Sequence, residues 1–407
     1  MTGDAALVAE PRAPRHPLRP ALAVGAIYLL ARLVTTTFLV VGAALADQRF
    51  GNGATIGSLS MRWDGQWYWI VGTLGYPADL PLDDAGEVAQ NAWAFMPVYP
   101  WISRALSFVL GGQYPLAAIG VSLVAGYLAC LVMFHLVAPR TGRTAAMWAV
   151  ALFASGPLAA LFQIGYAESL FLLWLLLALL LLVRRRFGWL YALIPLMGYT
   201  RPGVLAFALL LALYGIHRWR TRRTDPLPAV QIVHIVALGL LAAAVGFSWQ
   251  VIAAVATGDP SAYLDTELSW RRGWTGDTEG RFVPFEGFVQ ASAIWFRIWG
   301  LPEAWGYVAL VVLVVGAAAL LLWERHVRAL GPEIRLWSAS YIVYLLLVFF
   351  PQSSIFRLLM PLAPLYGALA LPRSTAWRVS MLALGLAGQW WWIHEMLVDG
   401  TTFTQIP

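Results

Sequence analysis

The sequence contains no lysine: all 27 of its Lys+Arg positions are arginine, set against 21 acids. Charged residues of both signs make up only 12% of the 407 positions, where a soluble domain carries about 25%. So little charge cannot cover a water-facing surface, and the 60% of hydrophobic residues must face lipid. The missing lysine also excludes the phosphate-binding loop Gly-x4-Gly-Lys-Ser/Thr, so a cytosolic nucleotide is not the expected substrate. The single cysteine, Cys130, lies in an apolar run, which excludes an intrachain disulfide and a cysteine-based metal centre. His16, His135, His217, His234, His326 and His394 are scattered. Their spacing with acids suggests no metal cage and no Ser-His-Asp triad, so no cofactor is expected and no metal site is legible, with metal dependence left open. The net charge of +6 does not point to nucleic acid, because the arginines sit in short loops between apolar runs.

What is present is a series of apolar runs of 17–25 residues, the length of a membrane-crossing helix and twice that of a barrel strand. Backbone groups in hydrocarbon must be satisfied within their own segment, so the spans are helical. The chain reads as one all-α polytopic membrane domain over 1–407, with about eleven transmembrane helices. They fall at roughly 20–46, 115–137, 145–161, 166–183, 188–199, 203–216, 230–257, 303–323, 335–351, 356–371 and 379–397. The fifth and sixth are separated by Tyr199-Thr200-Arg201-Pro202-Gly203, and a break at that depth lines a cavity. The stretch 97–110, opened by Pro97 and closed by Gly111-Gly112, is too short to span and reads as an interfacial helix. No cleavable signal is legible, so the first apolar run is expected to stay as the first helix.

The positive-inside rule orients this arrangement. With the N-terminus cytoplasmic, the inner segments hold seventeen arginines (Arg12, Arg15, Arg19, Arg140, Arg143, Arg184 to Arg186, Arg218, Arg220, Arg222, Arg223, Arg325, Arg328, Arg335, Arg373, Arg378) and five acids. The other acids fall outside or at outer helix ends. Residues 1–19 become a cytoplasmic tail, 47–114 a first extracytoplasmic loop and 258–302 a second, both long and carrying short interfacial helices. Loops of that length are uncommon without function. The all-arginine, Ala/Gly/Leu/Trp-rich composition resembles a high-GC bacterium, hence a multi-pass protein of a bacterial plasma membrane.

The outer segments hold the polar chemistry. Arg62-Trp63-Asp64-Gly65-Gln66-Trp67-Tyr68-Trp69 surrounds a carboxylate with aromatics. They either form an interfacial belt or desolvate Asp64 and offer a platform to a sugar or lipid head group. Phe95-Met96-Pro97-Val98-Tyr99-Pro100 follows, a turn into the short helix or part of the same site. Glu168 in Tyr166-Ala167-Glu168-Ser169 opens an apolar run, either as a helix cap or as a boundary carboxylate holding a hydroxyl or cation. Arg201 and Arg357 each stand at an outer helix end beside Pro and small residues, either snorkelling or binding an anion. Trp270-Arg271-Arg272-Gly273-Trp274 sets two arginines between two tryptophans. Acids and arginines on one side of a helical membrane protein fit an enzyme of lipid phosphates: arginine for phosphate, carboxylate for proton transfer.

The order Arg62-Trp63-Asp64…Trp67-Tyr68…Gly75-Tyr76, then Ala94 to Pro100, then Tyr166-Ala167-Glu168-Ser169-Leu170-Phe171, then Thr200-Arg201-Pro202-Gly203 resembles the PIG-V-type mannosyltransferases of the GT-C class. It departs at Arg201-Pro202-Gly203, which lacks the Asn of the family's Arg-Pro/Asn-Gly element, and at Phe95-Met96 in place of its aromatic pair. The resemblance implies a GT-C-like fold and a polyprenyl-phosphate sugar donor, most often mannose, used on the outer face. It also implies inversion at the anomeric carbon, with Asp64 as catalytic base. Arg62, Trp63, Trp67, Tyr68, Tyr99, Glu168, Arg201, Arg271, Arg272 and Arg357 are then the expected substrate-binding residues. The expected partners are that donor, a lipid or glycan acceptor, and membrane lipids, with no nucleic acid and no obligate protein partner. The alternatives are the same fold with a glucose, galactose or arabinofuranose donor, a lipid-linked sugar flippase or transporter, or a structural subunit. Few charges at mid-membrane depth count against transport; Arg32 in the first helix is one, and the sequence gives it no partner.

Overall fold

A computed structural model describes residues 18–51, 53–276, 281–400 and 403–406. Most of the expected cytoplasmic tail, including Arg12 and Arg15, lies outside the described residues. Helices dominate and no strand occurs among the described residues; Leu82 and Val88 form an isolated bridge. The helices are α1 (Leu18–Phe50), α2 (Ile56–Ser60), α3 (Asp64–Thr73), α4 (Val98–Val109), α5 (Tyr114–Thr141) and α6 (Arg143–Ala154). Next come α7 (Glu168–Val183), α8 (Leu190–Gly198), α9 (Val204–Thr221), α10 (Ala229–Thr257), α11 (Ala262–Thr275) and α12 (Glu286–Ile298). The chain continues with α13 (Glu303–Trp323), α14 (Arg325–Ala329), α15 (Pro332–Val348), α16 (Ile355–Leu358), α17 (Tyr366–Leu369) and α18 (Thr375–Trp392), which runs into a π-helical turn, Ile393–Val398.

Among the described residues, four helices are long and apolar enough to cross a membrane by length and composition: Pro20–Phe50, Tyr114–Thr141, Ala229–Thr257 and Glu303–Trp323. Each of the other stretches expected to span also carries helix, but in shorter or broken pieces. Residues 145–161 stop being α-helical at Ala154, ahead of Gly156-Pro157. Residues 356–371 fold as α16, a 3-10 segment Met360–Leu365 and α17, because Pro361 and Pro364 withdraw backbone donors from that segment.

The distribution of apolar surface is that of a membrane protein. Outward positions of α13 are apolar, with Val311, Val312, Leu313 and Val315 all exposed. α4 is inverted relative to a soluble helix: Trp101, Ile102, Phe108 and Val109 face out while Ser103 and Ser107 are buried. Exposed apolar faces of this size mark lipid contact. α7 is the opposite case, apolar all round and buried over most of its length, so it forms the bundle's centre. α5 packs along it, and α8 and α15 also touch it.

Arg32 finds its partners inside the bundle. Its guanidinium donates to the carbonyls of Ala154 and Ala159 at 2.6 Å each, between the rings of Tyr28 and Phe162. A cation at the C-terminal end of α6 satisfies carbonyls the helix leaves orphaned.

The two long loops are themselves helical. Residues 47–96 contain α2 and α3; residues 258–302 contain α11 and α12. α7 and α9 both run away from this end of the molecule. They carry the chain about 24–27 Å at 1.5 Å per residue to the arginine clusters around Arg184 and Arg218.

Candidate active site

The peptide ahead of Asp64 is unusual. Trp63 sits at φ 55°, ψ −118°, a left-handed backbone that a bulky L-residue adopts only under constraint. The constraint comes from the other end of the chain. Trp63 Nε1 donates to Met396 O at 2.9 Å, and Arg62 donates to Leu397 O at 2.5 Å and Gly400 O at 3.3 Å. Arg62 and Trp63 are thus occupied with carbonyls of the π turn and its exit. Such outliers cluster at sites that need a fixed geometry, and here the outlier delivers Asp64 to the first position of α3. The opposite wall approaches closely: Gly165 N–H donates to Ser60 O at 2.9 Å, and Tyr166 Oη donates to Arg62 O at 3.0 Å. A Cβ on Gly165 would fall 2.5 Å from the Met61 sulfur and 3.2 Å from Ser60 O, so a side chain there would have to displace Met61.

Glu168 is the first residue of α7, and its side chain is 3% exposed. Arg201 lies in the break between α8 and α9. Pro202 lacks an N–H, and Gly203 at φ 135° turns the chain into α9 in a conformation open to glycine. The Val98 amide at the start of α4 donates to Tyr199 O at 2.9 Å, tying the short helix to the same break. Arg357 lies in the short α16, after α15 has ended and Phe349 has turned extended.

These four segments meet. Arg357 pairs with Asp64 and, at 3.2 Å, with Glu168; Glu168 pairs with Arg201. The side chains are 3–14% exposed. The four form a chain of alternating sign, Asp64–Arg357–Glu168–Arg201, formally neutral in the ionised state. Its polar atoms are not all used: Glu168 Oε2 and Arg357 Nε are buried without a hydrogen-bond partner. Both residues line a narrow cleft, with Arg201, Tyr341, Phe171 and Leu358 among its walls. Buried polar atoms are rarely left unpaired in proteins.

The other sequence candidates divide. Tyr68 is buried against Phe95 and Tyr99, at 5.3 and 5.1 Å between ring centroids. Burial raises its hydroxyl to about 12, against the opposing pull of Arg201. Tyr99 spends its hydroxyl on Ala118 O at 2.9 Å and on Ser122 at 3.0 Å. Trp67 stacks on Phe95 at 5.7 Å and meets Trp270 edge-on at 5.8 Å. Arg271 donates to Gln290 Oε1 at 2.6 Å and lies over the Phe350 ring. Arg272 bonds Val88 O, with Asp83 at 3.8 Å. Neither arginine pairs with Asp64 or Glu168 among the described residues.

Glu267, on α11, drew no notice in the sequence. Burial raises its carboxyl to about 7; a hydrogen bond from Tyr263 opposes that shift, and the charge of Asp64 adds to it. The available signal was helical spacing, since Tyr263, Glu267 and Trp270 fall at i, i+4 and i+7. One trio of possible metal donors occurs among the described residues: His394, Glu395 and Asp399, within 4.8 Å of one another. Arg49 holds Asp399 at 2.5 Å, and His394 Nδ1 lies 3.5 Å from it.

No protein-family model matches the chain, and no curated protein matches it. Among solved structures it is similar to the archaeal oligosaccharyltransferase AglB of Archaeoglobus fulgidus in complex with an inhibitory peptide and a dolichol-phosphate. The TM-score is 0.43 at 13% identity, over 92% of this chain and 56% of that one. A second structure of the Archaeoglobus fulgidus oligosaccharyltransferase, complexed with Zn and sulfate, matches with TM-score 0.41 and 13% identity, over 94% of this chain and 53% of that one. The chain spans little more than half the length of these structures.

Proposed function

We propose that this chain is an inverting glycosyltransferase of the GT-C type that moves mannose from a polyprenyl-phosphate donor to a lipid-linked or glycan acceptor. The site opens on the extracytoplasmic face of a bacterial plasma membrane, and Asp64 is the general base. The reading rests on one observation above the motif resemblance: Asp64 and Glu168 converge with Arg201 and Arg357 in a buried, charge-alternating row beside a pocket.

That row supplies what the transfer requires. An acceptor hydroxyl is far too weak an acid to ionise near neutrality, so a carboxylate takes its proton as its oxygen attacks. The acceptor oxygen bonds to the anomeric carbon while the bond to the phosphate oxygen breaks, and the polyprenyl phosphate leaves with the electron pair. Attack from the opposite face inverts the centre, turning a β-linked donor into an α-linked product. Arg357 and Arg201 stabilise the charge growing on the phosphate. Before the donor arrives they hold the two carboxylates instead. A bound phosphate competes for the same guanidinium groups and releases Asp64 to the acceptor. Glu168, with one oxygen unpaired, supports or positions the acceptor hydroxyl.

The test is Asp64→Asn in membranes supplied with labelled polyprenyl-phosphate mannose. Loss of the base should lower turnover by about 10²–10⁴-fold with the protein still folded. Turnover like wild type would remove Asp64 from the mechanism. Labelled glucose, galactose and arabinofuranose donors in the same assay decide the sugar.

A further inference from the structure

α11 lies across the first long loop and is fastened there at several points. Asn91 Nδ2 donates to Thr266 Oγ1 at 2.8 Å, Arg272 bonds Val88 O, and Gln352 Nε2 donates to Trp270 O at 3.2 Å. This fixes Trp270 against Trp67 at 5.8 Å and Phe95 at 6.0 Å, with Phe95 stacked under Trp67 at an interplanar angle of 13°. Trp67 and Trp270 stay half-buried, so this is a ring wall with open surface rather than closed core. Trp67 lies one turn from Asp64 on α3.

Glu267 stands one turn before Trp270 on the same helix face. Tyr263 of α11, Asp64 of the first loop and Tyr344 of α15 all interact with its charge. Unlike Asp64 and Glu168, Glu267 forms no ion pair among the described residues. A carboxyl that feels the charge of Asp64 and is ion-paired to no arginine among the described residues has no part in the phosphate chemistry above.

We propose that Trp67, Trp270 and Glu267 form a saccharide subsite beside Asp64, so that the acceptor presents a sugar ring and not only a lipid hydroxyl. This rests on the transferase reading above. A pyranose has an apolar C–H face and a rim of hydroxyl donors. Aromatic rings match the first, and a carboxyl that accepts two hydrogen bonds matches the second. A simple lipid alcohol requires neither. The placement also suits the chemistry, because a ring held on this wall sets its rim hydroxyls toward α3 and Asp64.

The subsite can be tested without donor. The full chain in detergent micelles is titrated with methyl α-D-mannopyranoside and methyl α-D-glucopyranoside, with glycerol as control, and saturation-transfer NMR reads the ring protons. Transfer to a pyranoside and none to glycerol is expected. Trp270→Ala should abolish it, Trp270→Phe should preserve part of it, and Glu267→Gln should weaken binding about tenfold with the protein still folded. No transfer in wild type, or transfer unaltered in Trp270→Ala and Glu267→Gln, overturns the subsite. Donor turnover is measured alongside. Sugar binding without turnover of any polyprenyl-phosphate sugar would sink the transferase reading and leave the subsite. Turnover with unchanged acceptor KM in both variants would do the reverse.

Discussion

Arg62 and Trp63 stand beside Asp64 in sequence, yet their side chains reach the carbonyls of residues 396–400. Spacing marks that something is built around Asp64, but it does not tell which neighbours hold the scaffold. Arg62→Ala should therefore act mainly on stability: losing charged hydrogen bonds to buried carbonyls costs about 2–3 kcal/mol, read as a lower melting temperature in detergent. If stability is unchanged and donor KM alone rises, Arg62 is a ligand contact instead. Glu267 gives a pH signature. Its folded pKa is raised from an ordinary 4.5 to about 7, so between those values the native state keeps a proton that the unfolded chain has released. Stability should fall as pH rises through that window. Glu267→Gln should remove this term, so melting curves of the variant and wild type diverge progressively from pH 4.5 to 7.5. Parallel curves would show that Glu267 does not titrate in this range. The sequence hid Glu267 because Thr266 and Leu268 flank it, and of the groups that act on its charge, Asp64 and Tyr344 come from other segments.

At the scale of elements, hydropathy located the helices but not their integrity. The stretch 356–371 reads as one apolar run, yet its prolines break it into α16, a 3-10 segment and α17. That break places Arg357 in a four-residue helix, free to turn toward Asp64 and Glu168. The other break, Thr200 to Gly203, was legible because Pro and Gly are adjacent, and the structure puts Arg201 there as part of the charge row. Gly203 tests how much the break matters. A side chain at φ 135° is strained whatever the space around it. Gly203→Ala should cost about 1–3 kcal/mol and shift Arg201, lowering turnover together with melting temperature. Preserved turnover at wild-type stability would show that the turn is not required.

At the scale of the molecule, Arg184 to Arg186 and the charge row occupy opposite ends of α7, and thiol labelling decides which end faces out. The lone cysteine helps here. Cys130 is buried, so a cysteine introduced in the loop after α3 or before α10 is the only accessible thiol. A membrane-impermeant maleimide should label Gly75→Cys on intact cells and leave Thr224→Cys unlabelled. The opposite pattern reverses the orientation.

The charge row also has a history in time. Asp64 and Arg357 are 293 residues apart in the chain, so at 5–20 residues per second Asp64 is made about 15–60 s before its arginine exists. Glu168 meets Arg201 after only 33 residues. One half of the row can thus assemble early within the membrane, while Asp64 stays without its counter-ion until α16 has been made. The proposed base is completed by a segment synthesised long after it.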